Sequence, residues 1–288
     1  MKKLVFAASC LFACVNANAL PVGNPSEASL FLYGAYWEPW TPYDPCDPCF
    51  TWIDSWNIRL GFSGDYNFNR HMEVKRGGRG GDIDVTRINT NSGFLVLNFC
   101  ERVDFFGKLG KSKIHIRTDA VSWGSSTSLE SELEFETFLS WSAGGRATLW
   151  KWCGFALGVE GEYFQTVPDF DYFLNYATGT LTYFNAGADA FYSEWQIGLG
   201  LSYIFSTSCP SFAFVPYAAI KWASAHLELD NFRFDQSGEE FVLHNLKSKK
   251  LWGFAVGLSF TMLDMVGVTV EGRWADEKAF HVSGQARF

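Results

Sequence analysis

Hydrophobic and polar residues alternate along most of this chain. In "SWNIRLGFSGDYNF" (55–68), Trp56, Ile58, Leu60, Phe62, Tyr66 and Phe68 fall on one face, and Asn57, Arg59, Gly61, Ser63, Asp65 and Asn67 on the other. Successive side chains of a strand point to opposite faces, so this period of two predicts a β-strand. The pattern returns in "EWQIGLGLSYIF" (194–205), "LWGFAVGLSFTM" (251–262) and "VGVTVEGRW" (266–274). No helical periodicity of comparable length interrupts the series.

A soluble β-sandwich also alternates, but its strands average about 5–6 residues. The alternating segments here are longer. Their apolar faces are large and often bounded by Trp or Tyr, and their opposite faces carry Gly, Ser and mixed charges. A membrane barrel requires this arrangement. Lipid meets the outer face, aromatic residues mark the two interfaces, and the interior is wet. Closure of the sheet pairs every backbone group where no water is available. The expected fold is all-β: a closed antiparallel transmembrane β-barrel of the outer-membrane type. At about 10 residues per crossing, the chain could supply an even number of strands, about 12–16. The ending "AFHVSGQARF" places Phe280, Val282, Gly284, Ala286 and Phe288 on one face. It looks like the C-terminal signal read by the bacterial barrel-assembly machinery, with Phe280, Val282 and Phe288 as its candidate residues.

Composition fits this reading. Aromatic residues make up 18% of the chain, yet the mean hydropathy is −0.02. The longest apolar candidate for a membrane helix, "LWGFAVGLSFTML" (251–263), is too short and is interrupted by Gly, Ser and Thr, so a helical membrane protein is excluded. The net charge of −8 and the absence of an extended basic stretch argue against a nucleic-acid partner. The chain opens with Lys2 and Lys3, an apolar stretch over 4–15 and the small residues Ala17 and Ala19. This is a secretory signal peptide with cleavage expected after Ala19. A competing lipoprotein box ending at Cys14 is disfavoured by the bulky Phe12. The expected organisation is a signal peptide over 1–19 and a single barrel domain over 20–288, outside the cytoplasm, where disulfides can persist.

"PYDPCDPCF" (42–50) carries Cys46 and Cys49, each directly after Asp-Pro. A thioredoxin-type pair would begin a helix, and no helical pattern follows. Zinc needs about four ligands, whereas Cys100, Cys153 and Cys209 are scattered singly. Disulfide chemistry is what remains: Cys46 with Cys49, either with Cys209, or either with a neighbouring protein. No metal or cofactor is expected. The five histidines have no Gly-x-Ser-x-Gly motif near them, so the chain is not read as an enzyme. His226 and His281 are possible lumen residues. The faces opposite the apolar residues supply candidate pore-lining charges: Arg59, Asp65, Arg102, Arg146, Glu160, Glu162, Lys221, Glu271, Arg273 and Arg287. Many of these would balance one another in a wet lumen, and rings of such charges set ion preference where they meet a constriction.

Several blocks carry a family resemblance. "LPVGNPSEASL", "WEPWTPYDPCDPCFTW", "LVLNFCERVDFFGKLG", "WSAGGRATLW", "EWQIGLGLSY", "PYAAIKW" and "VEGRWADEKAFHVSGQARF" resemble, in order, framework segments of the chlamydial major outer membrane protein. The resemblance spans the whole chain beyond the signal peptide. This chain is considerably shorter, mainly where the family carries variable surface segments, and has fewer cysteines. The resemblance implies a homotrimeric porin in outer-membrane lipid that passes small hydrophilic solutes and ions and is tied into a disulfide-linked envelope. The alternative is a closed structural or adhesive barrel. Two orientations of the Cys46–Cys49 connection are compatible with the sequence. If Leu30 begins an upward strand, the pair is outside. If "RHMEVKRGGRGGD" (70–82) is an outer loop, the pair faces the periplasm, and the resemblance favours this second choice.

Overall fold

The computed structural model describes residues 21–30, 56–75, 83–121, 123, 129–184, 189–206, 212–230, 232–236, 239–262 and 265–287. Ten long strands form the barrel: β1 Trp56–Arg70, β2 Val85–Phe99, β3 Val103–Val121, β4 Phe138–Trp152, β5 Phe155–Thr166, β6 Phe191–Tyr203, β7 Phe212–Glu228, β8 Trp252–Met262, β9 Val266–Trp274 and β10 Glu277–Arg287. Each pairs antiparallel with the next, and β10 returns to β1 in a register running from Arg59↔Arg287 to Arg70↔Glu277. The closed antiparallel barrel and its even strand number agree with the alternation. Among the described residues the barrel has ten strands and not 12–16. Several strands run longer than a crossing requires, from the 15 residues of β1, β2 and β4 to the 19 of β3. Other residues form short hairpins, such as Phe170–Asn175 with Thr180–Tyr183 and Arg233–Gln236 with Glu239–Val242.

The alternation works out in space. Phe62 is 80% exposed, and Leu60, Leu109, Trp195, Ile197 and Phe254 also project outward. On a soluble surface such a belt would be a liability; in a bilayer it is the lipid contact. Aromatic pairs edge the belt. Trp56 lies tilted against Phe99 at 4.8 Å and Phe155 meets Tyr203 edge-on at 4.7 Å at one end, while Tyr163 lies 4.5 Å from Trp195 toward the other. Phe280 faces outward with this belt; Phe288 lies outside the described residues.

The connections at the Arg287 end include the short turns 100–102 and 153–154, and most of those at the opposite end are longer. Short turns face the periplasm in outer-membrane barrels, so the Arg287 end is periplasmic. Arg70 and the residues that follow it lie at the extracellular end.

Above the membrane belt the extended strands and hairpins close over a hydrophobic core. Ile114 and Ile116 of β3, Phe135, Phe173, Phe241 and Leu243 are essentially fully buried and belong to one cluster with Ile88 of β2, Phe164 of β5 and Leu227 of β7. Strands from opposite sides of the barrel therefore meet in one apolar layer across its outer mouth. Phe173 packs 5.4 Å from Phe241, and Phe170 stacks 5.3 Å from Phe232. Each such side chain contributes roughly 1.5–3 kcal/mol by leaving water.

Candidate functional site in the barrel lumen

Below the apolar layer the interior is ionic. Arg70, fully buried at the end of β1, meets Glu194 of β6 at 3.0 Å, Glu277 of β10 at 3.0 Å and Asp276 at 3.3 Å. Arg273 of β9 pairs with Asp65 of β1 and lies 3.7 Å from Glu277. Lys221 of β7 donates to Gln196 at 3.0 Å, and Lys108 of β3 meets Glu162 of β5 at 2.8 Å. Nearer the periplasm, Arg59 pairs with Asp104 and Arg146 with Glu160. Asn98 donates to Asp104 at 2.7 Å and accepts from Asn57 at 2.8 Å. Buried charges persist only when they are compensated, and each of these acids and bases has an oppositely charged neighbour within 4 Å.

A second element fills this interior. Residues 21–30 lie inside the barrel, with one short 3-10 turn at Glu27–Ser29, and Val22 to Leu30 are buried. The backbone N–H groups of Val22 and Gly23 donate to the two carboxylate oxygens of Glu271, both at 3.0 Å. Gln196 donates to Pro21 O at 2.8 Å, Thr148 to Pro25 O at 2.9 Å, Asn98 to Ala28 O at 2.8 Å and Lys151 to Ser29 O at 3.2 Å. Glu27 meets Arg146 at 2.6 Å and also accepts from Gln285. Leu30 packs with Val215 and Ile204 at the periplasmic end. The segment thus runs from that end to mid-lumen. The spaces beside it are small. One cavity of about 30 Å³ is bounded by Pro21, Ser63, Asp65, Lys108 and Glu162, and one of about 40 Å³ by Gly23, Glu27, Arg146 and Glu160. Each has room for a few waters.

Of the sequence candidates, Arg59, Asp65, Arg146, Glu160, Glu162, Lys221, Glu271, Arg273 and Arg287 lie on the inward face, and His281 stands 3.6 Å from Asp65. Arg102 does not join them. Its position in the alternation is inward, but the chain turns at 100–102, where Cys100 and Glu101 take positive φ of 50° and 55°, and Arg102 is exposed at the periplasmic end. His226 pairs across from Ser193 on the outward face of β6 and β7, not in the lumen. Leu30 is buried in the lumen next to the 3-10 turn, and the rest of the strand expected from Leu30 lies outside the described residues. Cys46, Cys49 and Cys209 lie outside the described residues, and Cys100 and Cys153 are free.

Sequence reasoning did not select Arg70, Asp104, Lys108, Glu194, Asp276 or Glu277. Asp104, Lys108 and Glu194 have the inward parity of their strands and could have been found by extending the count. Arg70 has the wrong parity for β1. A register shift between Asn67 and Asn69 turns it inward, as a bulge does. One further cluster lies on the outer surface of the extracellular extension. His115 is 2.5 Å from Glu134 and 3.7 Å from Glu132. It is a poor metal centre, because Glu132 already accepts from Tyr172 at 2.7 Å and Tyr176 at 2.6 Å, and Glu134 pairs with Lys113 at 2.6 Å.

Strand pairing, lipid belt, aromatic rims and ionic interior define an outer-membrane β-barrel. The family model described as "Chlamydia major outer membrane protein" matches residues 1–79. The "Major outer membrane porin" of Chlamydia pneumoniae is 30% identical over 402 aligned positions covering all of both chains. That of Chlamydia psittaci is 30% identical with the same full coverage. The serovar L1 porin of Chlamydia trachomatis is 29% identical over 99% of this chain and 98% of its own. The chain belongs to the chlamydial major outer membrane protein family and is a protein of the bacterial outer membrane. Aligned positions exceed the 288 residues here, and the excess is sequence that only the relatives carry.

Proposed function

We propose that this protein is a non-enzymatic porin that admits small hydrophilic solutes and ions by passive diffusion, and that it works as a homotrimer joined through disulfides to the envelope. The observation that carries the diffusion reading is the character of the inner wall. It is polar and charged along strand after strand, from Asn57, Arg59 and Ser63 to Glu271, Arg273 and Gln285. Such a wall is wetted wherever nothing covers it. Acidic and basic groups are mixed on it, which supports modest ion selectivity.

One observation favours a second reading, a closed structural barrel. In the described conformation the apolar layer and residues 21–30 both cross the interior. Single-channel recording separates the two. Folded protein in planar bilayers should conduct small ions without an energy source. Folded protein that neither conducts nor admits solutes into liposomes would leave the closed barrel. The disulfide role stands on Cys46 and Cys49. Alkylation and mass mapping of the non-reduced envelope should find them oxidised; free thiols would remove it.

A further inference from the structure

The two elements that cross the interior differ in kind. The outer layer is a continuous hydrophobic core, and opening it would expose apolar surface to water. Residues 21–30 are held mainly by hydrogen bonds and an ion pair, which water entering the lumen can replace, and among the described residues their apolar clusters are Val22 with Ala219 and Ala255, and Leu30 with Val215, Ile204 and Ala213. They form no strand with the wall; none of the barrel pairings includes them.

The wall does not depend on the segment for its own neutrality. Without Glu27, Arg146 keeps Glu160 and stands 3.8 Å from Asp104. Without the Val22 and Gly23 amides, Glu271 keeps the Tyr217 hydroxyl at 2.7 Å and faces Arg273 at 3.7 Å. Asn98 keeps Asn57 and Asp104.

The wall is nevertheless shaped to receive it. Gly158, Gly198 and Gly200 all face inward. A Cβ at Gly198 would lie 2.4 Å from Val22 Cγ1, one at Gly158 2.4 Å from the Pro25 carbonyl oxygen, and one at Gly200 3.1 Å from Pro25 Cγ. These distances are too short for a real contact at the first two positions. Three missing side chains on adjacent strands make a groove that fits this backbone.

We propose that residues 21–30 are a displaceable plug that enters from the periplasmic end, seats in the Gly158–Gly198–Gly200 groove and leaves by the same end. With cleavage after Ala19, as the sequence predicts, Pro21 is the second residue of the mature chain. The proposal concerns the access of the lumen from the periplasm. It adds a gate to the porin reading and is tested apart from it.

The reporter is Thr148→Cys, whose parent hydroxyl touches Pro25, in a background with Cys46, Cys49, Cys100, Cys153 and Cys209 replaced by Ser. Folding is checked by heat-modifiable gel mobility. The readout is the rate of reaction with a charged methanethiosulfonate reagent. Deleting residues 21–30 should raise the rate at least about tenfold, since protection by a seated segment is set by its local opening equilibrium. Gly198→Leu should raise it similarly by filling the groove, which also decides the matter if the deletion fails to fold. The synthetic peptide PVGNPSEASL should restore slow labelling to the deletion variant, and a scrambled peptide should not. Equal rates for the parent and the folded Gly198→Leu protein would overturn the plug. Conductance is then measured on the same proteins. Fast labelling without conductance in any variant would leave the plug standing and count against the porin reading. Conductance that is identical in parent and deletion, together with equal labelling, would reject the plug and leave the porin.

Discussion

Arg70 offers the sharpest test of the ionic interior. Its guanidinium reaches Glu194, Glu277 and Asp276 at 3.0, 3.0 and 3.3 Å, and none of these side chains is more than 3% exposed. The three acids come from β6, from β10 and from the turn between β9 and β10, so one group ties both sides of the barrel seam to the opposite wall. Arg70→Leu would leave those acids facing one another. Breaking a buried pair by removing one partner costs about 3–5 kcal/mol. Lys221, 3.9 Å from Asp276, and Arg273, 3.7 Å from Glu277, offset part of the excess negative charge, so the loss should stay within that range and not multiply by three. Arg70→Lys should recover only part, because a single ammonium cannot span a three-acid site as a planar fork does. The triple change Arg70→Leu, Glu194→Gln, Glu277→Gln should recover most of the loss, since no uncompensated pair remains. The assay is urea unfolding of the refolded protein in detergent, followed by the heat-modifiable band. With a slope of about 2–3 kcal/mol per molar urea, Arg70→Leu should lower the midpoint by about 1–2.5 M. A midpoint change equivalent to less than about 1 kcal/mol would refute the reasoning, because that is the value of a solvated surface pair.

Two further outcomes follow from the outer face and the chain end. Phe62→Lys, at the most exposed apolar position and midway along β1, should cost about 2–4 kcal/mol in a bilayer, while Phe62→Leu should be nearly silent; equal stability of the Lys variant in liposomes would remove this face from the lipid. Phe288→Asp should block outer-membrane assembly, because it puts a charge at the end of the strand whose Phe280 lies in the apolar belt; normal amounts of folded protein in the outer membrane would reject the terminal signal.

The lipid-facing half of this structure was readable from sequence because one physical rule governs it. Most outward residues in β1, β6, β8 and β9 meet the same apolar solvent, so Trp56, Ile58, Trp195 and Val268 fall on one repeating face, broken only by small residues such as Gly64, Ser193 and Gly272. The interior is governed by particular partners and is harder to read. Arg102 has the correct parity but falls on a turn, and Arg70 has the wrong parity until the shift at Asn67–Asn69 rotates it inward. Strand number failed for a related reason. Alternation continues past the membrane into β3 and β7, so counting alternating residues overestimates the crossings. The luminal segment was the least legible feature. "PVGNPSEASL" has no period, because it packs along the inside of a cylinder and uses its backbone amides and carbonyls as much as its side chains. Its complement is written elsewhere, in the inward Gly158, Gly198 and Gly200. In sequence these are indistinguishable from glycines that merely keep a lumen open. Only when Val22 and Pro25 are set against them is the fit visible: at Gly198 every near neighbour of an added Cβ belongs to Val22, while at Gly158 and Gly200 the segment shares the space with Ala147 and Ala219 of the wall.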